Sequence, residues 1–183
     1  MLQHVETLDD VARLLRSLKD VWDEEVVDEL DHALQSAARA IDDGADDELV
    51  LAAALHDIAH SPDFGGAAAQ AHDVTAERWL TPRFGARVGW LAGRHVAAKR
   101  YLAATDPAYG AALSPTSVDS LRAQGWAAVD PDLVAHRWWP DALRLRRYDD
   151  AAKDPAAAGA TIEDVLAIAK RVLEQRHPDQ DPG

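Results

Sequence analysis

Cysteine is absent from the 183 residues. Its absence excludes disulfides, thiolate zinc sites and a cysteine nucleophile, and it fits a reducing cytoplasm. No apolar run is long enough to span a bilayer. The first residues, MLQHVETLDD, carry neither a basic n-region nor an apolar h-region, so no signal peptide is expected and the expected location is cytoplasmic. Positive charge is scarce: 19 Lys and Arg stand against 32 Asp and Glu, for a net charge of −13. Nucleic-acid binders carry a basic footprint, so a nucleic-acid partner is not expected, and neither is a membrane. An anionic small substrate stays open where a few aimed cations receive it. Strand-like alternation is missing, as are repeats, low-complexity segments and any interdomain linker. No signal sets an oligomeric state.

What is present is alanine and apolar spacing of three and four, in a chain that is 48% hydrophobic. That reads as one all-α domain over residues 1–183. Thr7 is expected to cap a first helix with Leu8, Val11, Leu14, Leu15 and Leu18 on its apolar stripe. A second helix is expected from Glu24 to Asp43, packing through Val27, Leu30, Leu34, Ala37 and Ile41 and stopping at Gly44. His32 lies off that stripe with Glu25, Asp28, Glu29 and Ser36, as a surface histidine would. A third helix, opened by Asp46 or Asp47 and running to His60, is apolar nearly all round and so expected to be buried. Residues 67–80 form a fourth, and Pro82 starts a fifth that Gly93 interrupts. Ser114-Pro115 opens a helix ending at Gly125. Another follows Trp138-Trp139-Pro140, and Thr161-Ile-Glu-Asp164 caps a last one over residues 161–176, before a polar tail at 177–183 expected to be disordered.

One stretch stands out. In Leu51-Ala-Ala-Ala-Leu-His56-Asp57-Ile-Ala-His60, ionisable groups interrupt an apolar segment. Buried imidazole and carboxylate are costly unless paired or metal-bound. His32, His72 and His95 lie on neighbouring helices, and Asp149 adds a carboxylate. Imidazole and carboxylate without sulfur suit iron, manganese or zinc. Helix bundles build such sites from inward-facing residues of different helices. Asp57, beside His56, is placed to bridge two ions, and the spacing alone leaves their number open.

These residues also carry a family resemblance. His32, His56-Asp57 and Asp149 resemble the H…HD…D signature of the HD-domain superfamily, which implies an HD-domain helical bundle. Further motifs are Asp-His-Ala-Leu-Gln at 31–35, Leu-His-Asp-Ile-Ala-His at 55–60, His-Asp-x-x-Ala-x-x-Trp-Leu at 72–80, His-Val-Ala-Ala-Lys-Arg-Tyr-Leu at 95–102 and Leu-Arg-Arg-Tyr-Asp-Asp-Ala-Ala-Lys at 145–153. Together they span residues 22–153 and resemble the branch of mixed-valence diiron oxygenases that cleave organophosphonates. The resemblance implies two iron ions, Fe(II) and Fe(III), with O2 as co-substrate. It places His32, His56, Asp57 and Asp149 on one iron and His72 and His95 on the other, with Asp57 bridging. It implies that Lys99 binds the phosphonate, that His60 stands near the substrate, and that Ser117, Gln124 and Arg146 make further contacts. Arg144 and Arg147 read as a solvated basic face. The implied substrate is a small 1-hydroxyphosphonate of the 2-amino or 2-trimethylammonio type, cleaved to a carboxylic acid and phosphate.

The pattern departs from the family at Trp22, where the family has a tyrosine three residues before the glutamate, here Glu25. Indole does not ligate iron as a phenol can. Trp is, however, the strongest cation–π partner, so Trp22 and Glu25 are expected to receive a cationic head group. Two other functions compete. An HD phosphohydrolase would use the same ligands to activate a water. A non-catalytic helical protein would keep a closed structural metal.

Overall fold

The computed structural model describes residues 2–22, 26–66 and 71–176. Its described residues hold helices and no strand, so the protein is all-α. None of these helices is long and apolar enough to cross a membrane.

The centre is the least amphipathic segment. Asp46 caps it, its carboxylate accepting from the Leu49 amide, and α1 to α3 lead there as Leu2–Ser17, Glu29–Asp42 and Asp47–Leu55. Every residue of α3 from Leu49 to Leu55 is buried. A helix without a polar stripe must be covered on all sides. Its cover comes from α2, from α5 (Ala86–Thr105), from α9 (Trp139–Ala151) and from α10 (Ile162–Arg176). Between these lie α4 (His72–Phe84), α6 (Pro107–Ala112), α7 (Pro115–Ala123) and the single turn α8 (Pro131–Val134). One continuous core takes side chains from α1, α2, α3, α4, α5, α9 and α10.

Several boundaries differ from the sequence expectation. α1 begins at Leu2, and Thr7 sits inside it, donating its hydroxyl to the Gln3 carbonyl four residues back. α2 starts at Glu29 because Asp28 is the cap, with its carboxylate accepting from the Asp31 amide. Its buried face is the polar one: His32, Gln35 and Ser36 are buried with Ala33, Ala37 and Ala40, while Ile41 is exposed. α3 ends at Leu55. His56 and Asp57 form a turn, followed by short 3-10 helices at Ile58–His60 and Pro62–Phe64.

Pro82 does not open a helix. It lies in the last turn of α4, whose end is set by Gly85 at φ 100°, with the Gly85 amide donating to the Thr81 carbonyl. Proline's fixed φ suits a helix, but beyond the first turn it withholds an amide from the carbonyl four residues back, here that of Arg78. Gly93 does not interrupt α5. A Cβ on Gly89 would lie 2.0 Å from Thr81 Oγ1, and one on Gly93 would lie 2.5 Å from Glu77 Oε2. The two glycines, four apart, are the face on which α4 and α5 approach closely. The caps at Ser114 and Thr161 match the sequence. Ser114 accepts from the Ser117 amide, and Thr161 and Asp164 cap each other reciprocally. The tail at 177–183, Glu25 and residues 67–70 lie outside the described residues.

Candidate metal centre

The end of α3 sets the site. His56 keeps helical angles, but Asp57 leaves them at φ −103° and ψ 16°. The carboxylate then stands among five imidazoles from different elements. Asp57 Oδ2 lies 2.9 Å from His56 Nε2 and 3.5 Å from His32 Nε2. Asp57 Oδ1 lies 3.4 Å from His95 Nε2, 3.6 Å from His72 Nε2 and 3.9 Å from His60 Nε2. Asp149, on α9, closes the first side, 3.5 Å from His32 Nε2 and 3.4 Å from His56 Nε2. The two oxygens of one carboxylate thus face two separate sets of nitrogens.

The rings are aimed by their other nitrogens. His32 Nδ1 is 2.9 Å from the Ala152 carbonyl, His56 Nδ1 2.8 Å from that of Ala53, and His95 Nδ1 2.6 Å from that of Ala92. A carbonyl only accepts, so each Nδ1 carries a proton and each Nε2 is turned toward the carboxylates, which is the usual outer support of a metal-binding histidine. His72 Nε2 and His95 Nε2 are 3.0 Å apart. Two imidazole nitrogens bonded at about 2.1 Å to one ion, at about a right angle, stand about that far apart. His56 Nε2 and Asp57 Oδ1 are buried without a hydrogen-bond partner. Orphaned buried polar atoms need a partner, and a metal ion bound beside Asp57 would supply one. The donor set fits a metal cofactor.

The electrostatics agree. Burial opposes the ionised form of Asp57, yet His56 and the neighbouring imidazoles hold its carboxyl well below the usual range. Burial opposes Asp149 as well, and the Arg146 guanidinium outweighs it. Burial disfavours the charged form of His56, but Asp57 and Asp149 raise it well above an ordinary imidazole. At His95 burial prevails and lowers it. Two carboxylates held ionised in a buried pocket call for cations.

Beside the second set of imidazoles is a cavity of about 40 Å³. His60, Lys99, Ser117, Gln124 and Arg146, named from the sequence, all line it. Lys99 is buried and donates to Ser120 Oγ. Burial, and then the charge of Arg146, lower its ammonium to about 8. Gln124 Oε1 is buried without a partner. His60 packs its ring against His72 and stands close enough to Asp57 and His72 to complete a ligand triad. Arg146 is placed differently from a free clamp. Nη1 donates to Asp149 Oδ2 at 2.6 Å, Nη2 donates to Asp150 Oδ1, and Nε donates to Asp150 Oδ2 and Tyr109 Oη at 3.1 Å each. It pairs with both oxygens of Asp150 and with the Asp149 carboxylate that faces His32 and His56.

Trp22 is 61% exposed and does not line the cavity, and Glu25 is outside the described residues. The cavity adds Thr116, Ser120 and Lys153. Ser120 shares a helix face with Ser117 and Gln124, and Lys153 ends the motif at 145–153, so both carried a signal. Tyr109 carried none. Arg144 binds Asp43 and Asp141 at the surface, and Arg147 is exposed.

No family model matches this chain. Over 158 residues it is 32% identical to hydroxymethylphosphonate dioxygenase of Gimesia maris, an alignment covering 81% of this chain and 79% of that protein. Over 111 residues it is 36% identical to the glycine-betaine-forming [1-hydroxy-2-(trimethylamino)ethyl]phosphonate dioxygenase of Leisingera caerulea, covering 57% of this chain and 56% of that one. A likeness over four-fifths of the chain, in a protein that brings these histidines and aspartates together, identifies the group: the chain belongs to the hydroxyphosphonate dioxygenase family.

Proposed function

We propose that the protein is a diiron dioxygenase that cleaves the carbon–phosphorus bond of a small 1-hydroxyphosphonate. One O2 is consumed for each carboxylic acid and phosphate formed, which balances the atoms: the hydroxymethyl compound would give formic acid and phosphate. The observation that carries this reading is Asp57, whose two oxygens face separate imidazole sets. His32, His56, Asp57 and Asp149 would hold one iron. His72 and His95, with Asp57 shared, would hold the other and leave it open toward the cavity. An Fe(II)/Fe(III) pair supplies the redox chemistry that activates O2 and removes hydrogen from C1.

The chain's own residues do the rest. Lys99 neutralises the phosphonate, from one turn beyond His95. Ser117 adds a hydroxyl to the same wall. Gln124 Oε1 accepts from a substrate donor, which satisfies its buried oxygen. His60, beside His72, takes or gives a proton at the substrate hydroxyl. Arg146 keeps Asp149 ionised and aimed. A few directed cations thus receive an anion in a chain of net charge −13.

The test is iron reconstitution followed by oxygen uptake on a panel of 1-hydroxyphosphonates, with phosphate followed by phosphorus NMR. Equal amounts of O2 lost and phosphate formed are expected. Phosphatase activity with zinc or manganese and no oxygen uptake with iron would replace this reading by hydrolysis.

A further inference from the structure

Arg146 lies between two cavities. It lines the inner one beside the imidazoles, while its partners Asp150 and Tyr109 line a second cavity of about 440 Å³. The guanidinium is buried and meets Asp150 along one edge, Nε donating to Oδ2 and Nη2 to Oδ1. A bidentate pair fixes the plane of the planar fork as well as its position. With the Nε–Nη2 edge held, the remaining corner, Nη1, is aimed at Asp149 Oδ2, 2.6 Å away. We propose that Asp150 is a positioning residue: it commits Arg146 to the metal-side carboxylate of Asp149 and withholds the guanidinium from the substrate's anion. The proposal rests on the function proposed above.

Spacing on α9 makes the arrangement possible. Asp149 and Asp150 follow Arg146 by three and four residues, so all three side chains share one stretch of helix surface. Tyr109 arrives from α6, and its hydroxyl accepts from the same Nε that serves Asp150. Burial opposes the charge of Arg146, and Asp149 and Asp150 outweigh it. One positive charge thus faces two negative ones, so the trio holds no surplus attraction for a further anion. Lys99 differs: it donates to the neutral hydroxyl of Ser120, and its charge stays available to a phosphonate. Without the Asp150 carboxylate, Nε and Nη2 lose their ionic partner. The guanidinium, already in the wall of the inner cavity, can then turn to a phosphonate there.

Asp150→Asn keeps the shape and removes the charge. Two affinities are measured: that for hydroxymethylphosphonate, by anaerobic calorimetry at saturating iron, and that for iron, by competition with a chelator. Asp150→Asn is expected to bind the phosphonate about tenfold tighter than the wild type, as one hydrogen bond to a charged group would give. It is expected to hold iron about tenfold more weakly, because Asp149 loses its outer support. A residue serving stability alone would weaken both. The phosphonate gain should vanish when Asp150→Asn is made in Arg146→Met protein, which separates a freed guanidinium from a general change of charge. Asp150→Glu keeps the carboxylate and should return both affinities toward the wild type. Asp150→Ser takes the place of Asp150→Asn if the amide variant does not fold. The proposal is overturned if a folded variant lacking the carboxylate binds the phosphonate no tighter, if its iron affinity is unchanged, or if the gain survives Arg146→Met. Wild-type protein that binds neither iron nor the phosphonate overturns the function proposed above as well, and that result does not depend on Asp150.

Discussion

At the scale of single residues, Asp57 has the largest consequences. Its carboxylate is shared between two sets of imidazoles. Asp57→Asn keeps the shape but removes the anion that two cations would share. Iron bound per chain is expected to fall from two to one or fewer, measured by elemental analysis, with helicity by circular dichroism unchanged. Lys99 gives a prediction in pH. Burial lowers its ammonium from 10.5 to about 8. A lysine lowered on folding costs stability below the folded value, and that cost disappears as pH rises from about 8 toward 10.5. Substrate binding runs the other way, because the phosphonate needs the charge. Phosphonate affinity should therefore weaken by up to about tenfold per pH unit above 8, while Lys99→Met binds weakly and without that slope. His56 and Asp57 stood out in the sequence because imidazole and carboxylate in an apolar helix are costly without a partner, whereas His32, off the apolar stripe of its helix, read as a surface histidine until the fold buried it. Arg146 was only half legible. Its position at the site followed from the motif, but its bidentate pairing with Asp150 depends on a side-chain choice among several acceptors one turn away.

At the scale of elements, the α4–α5 pair holds the second set of imidazoles. His72 begins α4 and His95 lies just over half a turn beyond Gly93 on α5, and the packing of these two helices brings their Nε2 atoms to 3.0 Å. Gly89→Ala would put a methyl 2.0 Å from Thr81 Oγ1 and 3.0 Å from its backbone nitrogen. Overpacking of this kind costs about 1–3 kcal/mol, against about 1 kcal/mol gained from helix propensity. The expected outcome is a lower melting temperature together with weaker binding of the second iron; an unchanged melting temperature would show that the helices part freely. Gly93 read as a helix break from sequence because its intrinsic cost inside a helix was visible and its partner face was not. Pro82 misled for the same reason: its preference for a first turn is local, while Gly85 decided where α4 ends. α3 was legible because a helix with no polar side can only be central.

At the scale of the molecule, α2, α3, α4, α5 and α9 converge their ionisable residues on one buried point. Such a cluster stores repulsion and desolvation that bound cations relieve. A ligand held only by the folded state stabilises it by about 2.7 kcal/mol at a hundredfold excess over its Kd. Adding ferrous iron to chelator-treated protein under argon should raise the melting temperature by about 5–10 °C for a domain of this size, and chelator should reverse it. No rise would mean that the imidazoles do not bind the metal as a set. The sequence by itself determined the helical class and the central place of α3, and it singled out the histidines and aspartates that the fold gathers at one buried point. Periodicity and the cost of burying charge are properties of a segment and its composition, and need no partner to be read. Only the tertiary structure decided that the polar face of α2 is the buried one, that Asp57 divides its two oxygens between opposite sets of histidines, and that Arg146 is tied to Asp149 and Asp150. Each of these depends on which distant groups arrive at a given side chain, and that is set by packing between helices far apart in the chain.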